Sequence, residues 1–262
     1  MVRHIRVLLV CGCLTVVHSA VPAPVLAQSA PVQGLGSTDR PRLTEGALRE
    51  LFTETIADFG RLPSVESATI LSIGAIGASI GGQFDTPATT TLSGSSDLGT
   101  VLGPGEELGA ARTQAVAAVA TYAIGRLTNH PRTSAIGADL ISAQILTQTT
   151  TMVVKMAAGR TRPDGTGFSF PSGHASTAFA TATVLQRHLG WKAGIPAYAM
   201  ATYVAASRIQ VKRHFLSDVA FGAAVGIMAG RTVTIGRGDA RFAIAPAPIP
   251  GGGAVNVTWL KH

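Results

Sequence analysis

Pro171-Ser172-Gly173-His174 runs directly into the Ala-rich stretch ASTAFATATVLQRHL at 175–189. A turn that opens a helix leaves the first backbone N–H groups of that helix unpaired. Those groups, with the positive end of the helix dipole, face whatever lies ahead of them and favour an anion there. Gly173 lets a ligand come close to the backbone. His174 stands at the helix start, where an imidazole can give a proton to a departing oxygen. Working outward, stretches dominated by Ala, Leu, Val and Met recur at about 106–127, 134–158, 193–208 and 214–230, so this half of the chain reads as a set of helices.

The bulk numbers agree with one large helical domain. The chain has 262 residues, 46% of them hydrophobic, with 30 glycines and only 5% aromatics, so its helices can pack closely through small side chains. A net charge of +7 suits phosphorylated small molecules, anionic lipid or nucleic acid. No Lys/Arg-rich run with interleaved aromatics occurs, which argues against nucleic acid.

The first residues read as a signal peptide over 1–27. Arg3 and Arg6 form a basic start, Val7 to Val17 is largely apolar, and Ala23-Pro24-Val25-Leu26-Ala27 offers a cleavage site with small residues. Export follows, to the periplasm or cell envelope. Both cysteines, Cys11 and Cys13, lie inside that segment, so the mature chain is expected to hold no disulfide and no thiol chemistry. Residues 28–43 are turn formers and read as a flexible leader, ahead of a helical domain over 44–230. Leu48, Leu51, Phe52, Ile56 and Phe59 recur at helical spacing.

From Ser67 to Phe84 no charge appears, yet Ser and Gly dilute the run, which leaves it borderline for a membrane span and leaves peripheral contact with lipid open. Residues 85–105 hold Pro87, consecutive threonines, Gly94 and Pro104 and read as a long surface loop. Charged residues interrupt or bound the later helices before a bilayer's length of about 20 apolar residues is reached, which favours a soluble bundle over a polytopic one. After Gly230 the pattern alternates: Val233 and Ile235, Phe242 and Ile244, then Val255, Val257 and Trp259, separated by Gly236–Asp239 and Gly251–Gly253. This predicts a small β appendage over 231–262.

Two further clusters flank the opening motif: Lys155 with Arg162-Pro163, and Ser207-Arg208 with His214 and Asp218. Lys155, Arg162 and Arg208 could bind phosphate oxygens and offset transition-state charge. On an unbroken helix Arg208 and His214 would point about 120° apart at ~100° per residue, so a bend or helix end must separate them if both reach one ligand. His214 and Asp218, four apart, would share a helical face, and a carboxylate there can fix the imidazole tautomer and leave the other nitrogen as a nucleophile. Asp164-Gly165 reads as a turn between two halves of the site, whereas His130 and His188 read as surface residues. Lys212 and Arg213 read either as attraction for an anionic substrate or as a solvated face. Histidines and carboxylates lack the paired spacing of a metal site.

Taken in order and with their internal gaps, the three clusters resemble the three-part signature of the type 2 phosphatidic acid phosphatase superfamily, without departure. The likeness spans about a quarter of the chain, Lys155 to Asp218. It implies an all-α helical bundle and a phosphohistidine mechanism without metal or other cofactor. His214 would be the nucleophile, Asp218 its orienting partner and His174 the general acid. Lys155, Arg162, Ser172, Gly173 and Arg208 would hold the phosphoryl group. The expected activity is a phosphatase acting on a soluble or lipid phosphomonoester. A vanadium-dependent haloperoxidase shares the signature, and a non-catalytic envelope protein that binds anionic head groups is the alternative from another class. Singly, each cluster has an ordinary structural explanation: a cation at a helix end, an N-cap, or an i,i+4 pair.

Overall fold

The computed structural model describes residues 2–10, 13–19, 45–235, 242–249 and 252–260, with side chains described from 46 to 235. The chain divides into two compact units, residues 41–238 and the two terminal segments 1–40 and 239–262.

The larger unit is helical. Its elements are α1 (Glu45–Arg61), α2 (Val65–Gly82), the short α3 (Asp85–Ser93), α4 (Ser96–Leu102) and α5 (Gly105–Gly109), then α6 (Ala111–Leu127), α7 (Pro131–Ala158), α8 (Gly173–Leu189), α9 (Trp191–Gln210) and α10 (Leu216–Val233). Ala143 and Leu146 of α7, Ala180 and Val184 of α8 and Met228 and Ala229 of α10 form the main core. A second cluster, Ala178, Ala182, Ala201 and Val204, joins α8 to α9.

Small residues set how closely these helices approach. A Cβ on Gly226 would lie 2.2 Å from the Ser176 carbonyl oxygen, and one on Gly222 would lie 2.6 Å from that of Ser172. Backbone against backbone at that separation places the start of α10 beside the start of α8. There the Ser172 N–H donates to the Asp218 carbonyl at 3.0 Å.

Residues 85–105 are not the long loop that their turn formers suggest. Asp85 opens α3 and Pro87 falls in its first turn, where backbone N–H groups have no helical partner. Ser95 caps α4 by accepting from the Leu98 N–H at 3.3 Å. The expected helix over 106–127 breaks at Ala110, and α7 begins three residues before the expected 134, with Pro131 at its first position. α10 starts at Leu216 rather than 214 and continues beyond 230. Val233, read as the first strand residue of the appendage, is helical and buried, and the hydroxyls of Thr232 and Thr234 bond back to the Met228 and Gly230 carbonyls.

By length and composition two helices could cross a membrane, α2 and α10. α10 is mostly buried in the bundle. α2 packs through a narrow stripe, Ser67, Gly74, Ala78 and Gly81, and leaves Ile73, Ile76 and Ile80 exposed.

In the other unit, strands β1 (Val2–Val10), β2 (Cys13–Ser19), β3 (Phe242–Ile249) and β4 (Gly252–Leu260) form a four-stranded sheet in the order β2-β1-β4-β3. β3 and β4 are antiparallel, with Phe242 opposite Trp259 and Ile244 opposite Val257. Gly252 and Gly253, read as turn residues, belong to β4. The cleavage site at 23–27, the leader over 28–43 and the turn at 236–239 lie outside the described residues.

Candidate active site

α7 carries Lys155 in its last turn and ends at Gly159, whose φ of 55° lies in the left-handed region that an L side chain disfavours. The chain then folds back over 160–172. Arg162 lies at the first turn of this loop, where the Gly165 N–H donates to the Arg162 carbonyl at 3.0 Å. The Asp164 carboxylate accepts from the Thr166 N–H at 2.9 Å. The turn expected at Asp164-Gly165 is therefore present, and it is tied across the site by Arg213, 3.0 Å from Asp164. Lys155 Nζ donates to the Phe168 carbonyl at 2.7 Å, which holds the ammonium against the loop.

Ser172 is the N-cap of α8, and its hydroxyl accepts from the Ala175 N–H at 3.4 Å. That hydroxyl accepts here and keeps its own hydrogen to donate, and the Ser172 N–H donates to the Asp218 carbonyl. The N–H groups of Gly173 and His174, in the first turn, are by position those without a helical partner.

α9 brings Arg208 in its last turn and ends at Gln210. Lys212 follows with φ of 57°, and the N–H groups of Arg213 and His214 both donate to the Arg208 carbonyl, at 3.1 and 3.2 Å. The chain thus wraps around that carbonyl and returns His214 to Arg208, the break that their spacing demanded. His214 and Asp218 do not share a helical face, because His214 precedes α10 and Asp218 lies in its first turn. The pair meets because the Asp218 carboxylate folds back. Its Oδ2 accepts from the Phe215 N–H at 2.8 Å and from the Ser169 hydroxyl, and it stands 3.6 Å from His214 Nδ1. That distance is an ion-pair contact, longer than a hydrogen bond, but it directs Nδ1 to the carboxylate and Nε2 away from it.

Burial decides the chemistry. Asp218 is fully buried, and Arg208 and His214 are each 3% exposed. Among the described residues, buried side-chain atoms without a hydrogen-bond partner include Arg162 Nε, Arg208 Nε and Nη1 and His214 Nδ1, besides Thr89, Gln144, Thr147 and Thr151 oxygens elsewhere. Buried donors without acceptors are rare, and here three belong to the cations expected to hold one anion. Burial, with Arg208, His214 and Lys155 close by, pushes His174 down to about 4. Burial also lowers His214 and brings Lys155, beside Arg162, down to about 8. Burial would raise Asp218, yet the His214 ring, the Ser169 hydroxyl, the Phe215 N–H and Arg160 hold it below the usual carboxylate range. His174 thus feels the charges of Arg208, His214 and Lys155, and His214 those of Lys155 and Arg162.

Several residues escaped the sequence reading. Arg160, Ser169 and Asp85 contact Asp218 or its neighbours, and Glu106 places a carboxylate oxygen 3.4 Å from Arg208 Nη1 while its backbone bonds to His174. Arg160 lies two positions before Arg162 and shares its charge, the one signal that was visible. His188 is not a surface residue: its Nε2 is 2.7 Å from the Asp139 carboxylate and its side chain is buried. His130 is exposed. Among the described residues no three His, Cys, Asp or Glu side chains gather as a metal ion would need.

A family model described as the PAP2 superfamily matches residues 136–241. The chain is 46% identical over 80 residues to the lipid A 1-phosphatase of Porphyromonas gingivalis, a match covering 29% of this chain and 18% of that protein's length. Among solved structures, the chain is similar in fold to LpxE of Aquifex aeolicus, with a TM-score of 0.50, 19% identity and coverage of 58% of this chain and 95% of that one. The transmembrane PAP2 type phosphatidylglycerolphosphate phosphatase of Bacillus subtilis gives a TM-score of 0.49 at 20% identity, covering 74% and 94%. The likeness lies in the helices and lends no support to the C-terminal hairpin.

Proposed function

We propose, from the premise that residues 136–241 form a PAP2 superfamily domain, that this protein is a phosphatase that removes phosphate from a lipid phosphomonoester through a phosphohistidine intermediate. The observation that carries the reading is the set of buried, unpartnered donors on Arg162 and Arg208 beside two neutral imidazoles. His214 Nε2 attacks phosphorus in line as the bond to the leaving oxygen breaks, and His174 supplies that oxygen with a proton. Lys155, Arg162, Arg208 and the N–H groups of Gly173 and His174 hold the three equatorial oxygens. Ser172 caps the helix that presents those N–H groups, and its hydroxyl hydrogen is left to donate to the phosphoryl group. Water then attacks the phosphohistidine, His174 takes the water's proton, and phosphate leaves.

A lipid rather than a soluble ester is favoured by the name of the P. gingivalis relative and by α2. Its exposed isoleucines, on a helix without charge after Glu66, form a face suited to the acyl boundary of a membrane. Export follows from the N-terminal segment. With Gln28 as the first mature residue, β1 and β2 are removed and β3 and β4 remain as a hairpin.

The test is phosphate release from lipid and soluble phosphate esters by purified protein with chelator present. The account expects release without divalent metal, higher turnover on the lipid ester, and loss of release in His214→Ala with phosphate binding retained. Release that needs a divalent cation, or that survives His214→Ala, overturns it.

A further inference from the structure

Asp218 is not held by His214 alone. Its Oδ1 accepts from Arg160 Nη1 at 2.7 Å, and the same Nη1 donates to the Ser217 hydroxyl at 2.7 Å. Arg160 Nη2 donates to Asp85 Oδ2 at 2.7 Å. Asp85 closes the ring: its Oδ1 accepts from the Ser217 N–H at 2.9 Å and its Oδ2 from the Ser217 hydroxyl at 2.7 Å. The Arg160 guanidinium also lies 4.4 Å over the Phe215 ring. Asp85, at the start of α3, is 6% exposed and lies 132 positions before Ser217. Both terminal nitrogens of Arg160 are thus committed to carboxylates, whereas the Nε of Arg162 and of Arg208 lacks a hydrogen-bond partner.

We propose that Asp85 and Arg160 are positioning residues for the reaction: they fix the Asp218 carboxylate, and through it the orientation and basicity of His214. This rests on the reading of His214 as nucleophile. A carboxylate buried completely stays ionised only while donors and a cation compensate for its lost water. Arg160 is the cation in direct contact with Asp218, and the two-pronged geometry of its guanidinium matches two carboxylates at once. Asp85 balances the second prong, so that Arg160 does not swing toward the bound phosphate. It also grips the first turn of α10 through Ser217, which fixes the backbone that carries Asp218.

The charged and titratable groups facing Asp218 are Lys155 from α7, Arg160 and Arg162 from the loop that follows, His214 ahead of α10 and Asp85 from α3. His174 at the start of α8 faces His214. Removing the positive charge of Arg160 makes protonation of the Asp218–His214 pair easier. Removing the negative charge of Asp85 makes it harder.

The experiment is the pH dependence of kcat and of kcat/KM for Arg160→Gln, Arg160→Lys, Asp85→Asn and His214→Ala, with thermal melting of each. In Arg160→Gln the account expects kcat to fall by about 10- to 100-fold, the range seen when the outer partner of a metal-bound histidine is lost, with KM little changed. The acid limb of the kcat profile moves to higher pH in Arg160→Gln, returns toward the native position in Arg160→Lys, and moves to lower pH in Asp85→Asn. A merely structural role lowers the melting temperature without moving the limb in opposite directions. If Arg160→Gln does not fold, an acid limb near the native position in Arg160→Lys and a limb at lower pH in Asp85→Asn carry the same test. An inactive His214→Ala together with unmoved limbs in the other variants overturns the role of the pair alone. An active His214→Ala overturns the proposed function itself.

Discussion

A half-buried imidazole close to cations gives up its proton readily, and that sets the behaviour of His174. In the free protein it is pushed down to about 4 by burial and by the neighbouring charges. Yet as the proposed general acid it must be protonated when the leaving oxygen departs. A bound phosphate ester resolves the conflict, because its negative charge offsets Arg208 and Lys155 and restores the proton. The alkaline limb of the kcat profile, which reports the complex, is therefore expected above that of kcat/KM, which reports the free enzyme. Coincident limbs would show that bound phosphate does not reprotonate this group. Stability follows the same titration. The unfolded chain, with an ordinary histidine near 6.5, binds more protons than the folded one between about 4 and 6.5, so stability rises with pH across that window and is lost on acidification. His174→Gln is expected to flatten this slope in melts between pH 4 and 7, and an unchanged slope would contradict the assignment. The residues proposed to carry this chemistry could be picked out in the sequence because each brings a distinctive group at a fixed gap. Asp85 and Ser169 were not, since a single Asp or Ser in a polar stretch has no local mark, and Asp85 gains its meaning only from a partner 132 positions away.

At the scale of elements, the site depends on how closely α10 meets α8. The Gly226 position leaves no room for a methyl group, since its Cβ would stand 2.2 Å from the Ser176 carbonyl oxygen and 2.7 Å from the Ala180 nitrogen, both backbone atoms. Gly226→Ala is expected to lose about 1–3 kcal/mol by overpacking and, at about 2–4 °C per kcal/mol for a domain of this size, to melt several degrees lower. Gly77→Ala on α2, where nothing lies within 4 Å, serves as the control and should melt at or above the native temperature, because alanine favours a helix over glycine by about 1 kcal/mol. Equal melting of the two variants would contradict the packing account. The long helices were legible from their apolar runs, but 85–105 was not. Ser, Thr, Asp and Pro signal turns when they stand between elements and caps when they stand at helix starts. The sequence alone did not distinguish a loop from the short helices α3 and α4, of which α4 has the side-chain cap, followed by the start of α5. His214 shows the same limit: spacing placed it on a helix, whereas the Arg208 carbonyl holds it in a turn ahead of one.

For the molecule as a whole, the exposed face of α2 links the fold to its proposed substrate. Ile73 and Ile76 are 65% and 61% exposed. The variant Ile73→Glu/Ile76→Glu is expected to lose most binding to vesicles containing anionic lipid in flotation assays, while hydrolysis of a water-soluble phosphate ester is unchanged. Undiminished flotation would remove α2 from the account of lipid contact. The central claim, however, is that two imidazoles and a ring of cations serve one phosphoryl group, with His214 as its covalent acceptor. The most direct measurement is a rapid quench into alkali with substrate labelled at phosphorus, followed by mapping of the label. The account predicts an alkali-stable, acid-labile phosphoryl group on His214, formed faster than phosphate is released and missing in His214→Ala. Steady turnover with no labelled protein, or label on any other residue, would contradict it.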